Sequence, residues 1–190
     1  MKTKKPSPAY RVAVVGILSA EAVVLSFLES LLPPLTFLPP GAKLGLANVA
    51  VMFTVVWAGL PAALAVTAVK ALYVLITRGL SAFWISLCGG LCSVAVMYFL
   101  TRTRQTGRRR SSFGYIGISV LSATAHNLGQ LGAASAIAGA PLIAYLPLLV
   151  LFGIFFGSVT GTVLGVVMPV LEKQSRIFSN KNKQVKDYES

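Results

Sequence analysis

Ser122, His126 and Gln130 recur at every fourth position of an otherwise apolar run, with Asn127 beside them. That spacing gathers three polar groups on one face of a helix. Glu29 shares a helical face with Ser26 and Ala22, and Lys43 and Asn48 open the next apolar run. An imidazole, three amides, a carboxylate and an ammonium set among apolar walls can bind and orient a small molecule. Glu29, Lys43, Asn48, His126, Asn127 and Gln130 are therefore the candidate ligand contacts. Glu21 and Lys70 form a second set, each about nine residues into its run. They fall at similar depth, where an ion pair would neutralise both. Ionisable groups are costly inside a bilayer, so each is a functional candidate by default.

The same inventory argues against catalysis. Of the five acids, Glu172, Asp187 and Glu189 lie in the last twenty residues, and Asp187 is the only aspartate. No Asp-rich pair can hold Mg²⁺ against a diphosphate. There is no Ser/His/Asp grouping, Walker sequence or zinc motif. Cys88 and Cys92 share a face but have no His or carboxylate near them, and read as small packing residues rather than metal ligands. No cofactor is expected, and any ATP-driven role needs a partner.

The elements that position these residues follow from composition. The chain is 55% hydrophobic and 12% charged, against about 25% charged in soluble domains. Its mean hydropathy is +0.76. Crossing a bilayer takes about 20 helical residues. Apolar runs at 12–32, 44–58, 61–77, 80–101, 113–137 and 142–170 predict six transmembrane helices in an all-α membrane protein. A basic N-terminus (1–11) precedes this domain (12–170), and a polar tail expected to fray (171–190) follows it. The first run is longer than the apolar core of a signal peptide and no small-residue cleavage pattern follows it, so it reads as a retained helix.

Six crossings place both termini on one side. Of the 17 basic residues, 14 lie in the N-terminus, the 102–110 loop and the tail. The positive-inside rule makes that side cytoplasmic. It also accounts for the net charge of +12 and for Arg108-Arg109-Arg110 without a nucleic-acid partner. The 33–43 loop is then external. Its four prolines stiffen an apolar segment that either covers the outer face as a lid or rests among lipid headgroups.

Small residues mark the packing faces, because lipid supplies little hydrophobic drive between helices. Gly153, Gly157, Gly161 and Gly165 repeat in the last run, and Ala125, Gly129 and Ala133 form a matching series in the fifth. Ala63, Thr67 and Ala71 mark the third run. Gly16 and Ala20 mark the first and are the candidate partner-docking face.

Two segments carry a resemblance. Glu29-Ser30, Pro33-Pro34 and the run from Phe37 to Asn48 resemble one signature, and His126-Asn127-Leu128-Gly129-Gln130 a second. Gly89-Gly90-Leu91, with Ser93 and Met97, is a weaker third. Over about residues 12–170 the chain resembles bacterial membrane proteins labelled heptaprenyl diphosphate synthase component I, also Gx transporter. These are similar to the S components of energy-coupling factor (ECF) vitamin transporters. The resemblance implies a six-helix bundle in the bacterial cytoplasmic membrane, binding ligand near its outer face. It also implies small-residue faces that meet a coupling subunit with ATPases. Two functions follow as expectations. The first is an S-component-like subunit for uptake of a small organic molecule such as a vitamin. The alternative is a non-catalytic membrane component of heptaprenyl diphosphate synthase, partnered by a soluble prenyl diphosphate synthase subunit.

Overall fold

In hydrocarbon an unpaired backbone group costs several kcal/mol, so apolar runs must close their hydrogen bonds internally as helices. The computed structural model describes residues 8–31, 48–105 and 114–188. Every regular element among them is helical: α1 (Pro8–Leu31), α2 (Asn48–Ala58), α3 (Leu60–Arg78), α4 (Leu80–Gln105), α5 (Tyr115–Ala138) and α6 (Leu146–Tyr188). A 3-10 turn, Ile143–Tyr145, leads into α6. Among the described residues, four segments are long and apolar enough to cross a membrane: Val12–Leu31, Leu60–Arg78, Leu80–Arg102 and Ile143–Pro169. α5, with 24 residues, has the length, but its polar stripe lowers its hydropathy. The described part of α2 has 11 residues, about 16 Å of helix at 1.5 Å per residue, shorter than a bilayer's span. The first part of the expected 44–58 run, the 33–43 loop with Lys43, and residues 106–113 of the basic loop lie outside the described residues.

The tail departs from expectation. Instead of fraying after 170, α6 continues to Tyr188. Pro169 removes only its own bond to the Gly165 carbonyl. Beyond it, residues 170–188 contain neither glycine nor proline and include several good helix formers.

Two short turns reverse the chain between α2, α3 and α4. Gly59 (φ 86°, ψ 179°) and Gly79 (φ 85°, ψ −178°) occupy a backbone region essentially reserved for glycine. Gly79→Ala is therefore expected to cost about 1–3 kcal/mol through strain, although no atom lies within 4 Å of the added Cβ. A thermal melt in detergent checks this, and a wild-type midpoint would refute the strain argument.

Glycines then set how closely the helices approach. Gly153, Gly157 and Gly161 face the backbone of Thr124, Val120 and Ile116, so α6 runs antiparallel along α5. A Cβ on Gly157 would fall 2.5 Å from Val120 Cα, and one on Gly161 would strike Ile116 Cα. Gly165 has nothing within 4 Å and stands outside this contact. The series expected to match, Ala125/Gly129/Ala133, is not the one that meets α6. Gly129 instead abuts the Cys88 carbonyl and Cys92 Sγ of α4. The row at 116/120/124 is offset by one residue, about 100° around a helix of 3.6 residues per turn. On the other side of α4, Gly90 seats against Thr67 of α3, whose face at Ala63, Thr67 and Ala71 is buried as expected. The shared core joins Leu18 and Ala22 of α1, Val51 and Met52 of α2, and Leu164 and Met168 of α6. Gly16 and Ala20 are exposed on α1, and nothing lies within 4 Å of a Cβ on Gly16.

Candidate functional site

The close approach of α4 to α5 brings the polar stripe into the bundle. A Cβ on Gly89 would lie 2.7 Å from Gln130 Cγ and 3.1 Å from His126 Cε1, so glycine there makes room for both side chains. His126 Nε2 and Gln130 Nε2 are 3.0 Å apart. With the amide nitrogen facing the ring, Gln130 donates, Nε2 accepts and the ring proton sits on Nδ1. The ring proton then faces the Gly89 backbone, which accepts a hydrogen bond from the imidazole. Ser122, the third member of the stripe, points elsewhere and donates to Met97 Sδ of α4 at 3.4 Å.

Asn48 reaches the same region from α2. Its Nδ2 donates to Ser93 Oγ at 2.9 Å. Ser93 lies about 20 Å along α4 from Leu80, at 1.5 Å per residue. Asn48 thus sits near mid-span, deeper than the outer mouth where the sequence suggested it. Asn127 turns to α6 and donates to the Leu149 carbonyl at 2.7 Å, clasping the start of that helix to α5.

Asn48, His126, Asn127 and Thr160 line one partly enclosed cleft between α2, α5 and α6, with Met52, Phe152 and Phe156 as its apolar walls. It has room for about one water molecule. The Thr160 hydroxyl is occupied, donating to the Phe156 carbonyl at 2.8 Å. Other polar atoms are not. Asn48 Oδ1 and Gln130 Oε1 have no partner among the described residues, although these side chains are only 3% and 5% exposed. Each such orphan costs about 1–3 kcal/mol. Asn48 lines the cleft, where a bound polar group would complete its hydrogen bonding; Gln130 lies one helical turn from His126 and does not line it.

The charged residues occupy a neighbouring layer. Glu29 is buried on α1 with Ala22 and Ser26, but it does not line the cleft. It acts electrostatically on Lys70, buried on α3, and on Arg78 at the exposed end of that helix. Lys70 in turn acts on His126. The expected pairing of Glu21 with Lys70 is not found: Glu21 is exposed, and the carboxylate acting on Lys70 is Glu29. Positions 22, 26 and 29 share the inward face of α1, while position 21 is turned about 100° from position 22.

Five of the six predicted contacts are therefore buried, and His126, Asn48 and Asn127 meet at one cleft with Gln130 bonded to the imidazole. Glu29 does not line that cleft, and Lys43 lies outside the described residues. Sequence reasoning missed Ser93, Thr160 and the aromatic wall as site residues, and did not connect Lys70 with Glu29. The Gly89-Gly90 pair was the available signal, since two glycines in one helix mark where neighbours approach. Among the described residues no group of three or more His, Cys, Asp or Glu is placed to hold a metal ion.

A family model described as heptaprenyl diphosphate synthase component I matches residues 18–167. No significant match is found among curated proteins or among solved structures.

Proposed function

The chain belongs to the heptaprenyl diphosphate synthase component I family, and from that premise we propose that it is the non-catalytic membrane component of such a synthase. In this reading it holds a prenyl ligand in the bilayer while a soluble partner subunit carries the Asp-rich chemistry that a chain with Asp187 as its only aspartate lacks. The observation that carries the reading is the cleft. It has an apolar, aromatic wall for a hydrocarbon chain and a polar end at Asn48 and His126, where Asn48 Oδ1 is unsatisfied. Six crossings with both termini in the cytoplasm would put the basic loop and the α6 extension on the side where a soluble subunit can dock. Native mass spectrometry of the gently purified protein tests this. A bound polyprenyl species or a stoichiometric soluble synthase is the expected result, and neither being present would count against the reading.

A second reading is uptake, with this chain as an S-component-like subunit served by an ECF coupling protein and its ATPases. The specific observation in its favour is the bare small-residue face at Gly16 and Ala20 on α1, which a second membrane protein could approach closely. In the same spectrum, a water-soluble vitamin-sized ligand would favour this reading over the first.

A further inference from the structure

We infer that the cleft takes an uncharged hydroxyl, carried on an apolar chain, as hydrogen-bond donor to Asn48 Oδ1. This rests on the ligand-holding reading above and names the chemistry at the polar end. The hydrogen bonds already made there decide it. Asn48 Nδ2 is bonded to Ser93 Oγ at 2.9 Å, and Asn127 Nδ2 to the Leu149 carbonyl at 2.7 Å. The Thr160 hydroxyl donates to the Phe156 carbonyl at 2.8 Å, which leaves its oxygen only lone pairs to offer. His126 is engaged on both sides of its ring, by Gln130 and by the Gly89 backbone. Each of these donor atoms thus has an acceptor. Asn48 Oδ1, on a side chain only 3% exposed, is an acceptor without a partner among the described residues. A ligand that completes it must bring a proton to share. An ether or phosphate oxygen would instead set its own lone pairs against Oδ1.

Charge and size point the same way. Among the described residues no lysine or arginine lines the cleft, so an anion would enter an apolar site without a counter-charge. The room beside Asn48 is that of about one water molecule, enough for a hydroxyl and too little for a phosphate. Phe152 and Phe156 have centroids 6.1 Å apart, and Phe156 meets Phe155 edge to face at 5.2 Å. Phe155 is 63% exposed. This aromatic row therefore runs from the cleft to the outer surface of α6 and gives an apolar chain its path.

Binding to the full chain in lipid nanodiscs, corrected for empty nanodiscs, tests this with farnesol, farnesyl methyl ether and farnesyl diphosphate. Dodecanol and dodecyl methyl ether repeat the contrast of alcohol with ether on an unbranched chain. Each probe is titrated into the wild type and into Asn48→Leu. Farnesol is expected to bind at least about fivefold tighter than its ether or its diphosphate, and Asn48→Leu to erase the preference over the ether. Alcohol selectivity on the dodecyl chain, with no farnesyl compound bound, would sustain the hydroxyl site and remove the prenyl reading. Farnesyl ether or diphosphate binding as tightly as farnesol would overturn the hydroxyl site and leave the prenyl reading standing. A preference that persists in Asn48→Leu also overturns the inference, as does a cleft that water alone fills and no alcohol enters. Should Asn48→Leu not fold, the alcohol-to-ether ratio of the wild type decides it.

Discussion

Replacing Gly157 with leucine is expected to destabilise the protein by about 3 kcal/mol or more, enough to abolish a cooperative melt in mild detergent. Gly157 lies in the middle of the contact between α5 and α6, and a Cβ there would come 2.5 Å from Val120 Cα and 2.9 Å from Val120 N. Those neighbours are backbone atoms, which cannot rotate away as a side-chain tip can. The helices would have to separate along their whole shared face, and Gly153 and Gly161 would lose their approach to Thr124 and Ile116 together. Separation would also pull Leu149 from the Asn127 amide that holds it at 2.7 Å, and so open the cleft. Gly165→Leu is the matched comparison. It changes the same helix by the same side chain, but nothing lies within 4 Å of its Cβ, so the melting temperature should hold within a few degrees. Equal losses in the two variants would mean that glycine matters here through helix propensity or lipid contact, not through this interface.

His126→Ala is expected to weaken ligand retention roughly tenfold, the worth of about 1.5 kcal/mol for the loss of a buried hydrogen-bonding group. The imidazole links the two halves of the site. It contacts Gln130, rests on Gly89, lines the cleft and feels the charge of Lys70. Its removal leaves the Gln130 amide with no side-chain partner and a void beside Gly89. Some loss of stability accompanies the loss of ligand, and a second variant separates the two. Ser122→Ala removes a buried hydroxyl that bonds to Met97 Sδ and does not line the cleft. It should lower the melting temperature slightly and leave the bound ligand in place. If His126→Ala proved no different from Ser122→Ala in ligand content by native mass spectrometry, the polar cluster would be a structural scaffold and not a binding site.

Much of this protein can be read from one dimension. A run of apolar residues long enough for a bilayer has helix as its only stable form, so α1, α3, α4, α5 and the first half of α6 follow within a few residues of where the sequence placed them. A polar residue every fourth position must fall on one face, so His126 and Gln130 meet whatever the rest of the bundle does. The glycine series on α6 likewise announces a close neighbour. Tertiary structure alone decided which neighbour, which face and at what depth. The row of α5 that meets α6 is 116/120/124 and not 125/129/133. Asn48 reaches Ser93 near mid-span, and Glu29, not Glu21, acts on Lys70. Periodicity fixes angles around each helix axis, but contact between helices depends on their tilt, crossing angle and relative rotation. One residue of offset turns a side chain by about 100°, so these partners follow only from the packing of all the helices together.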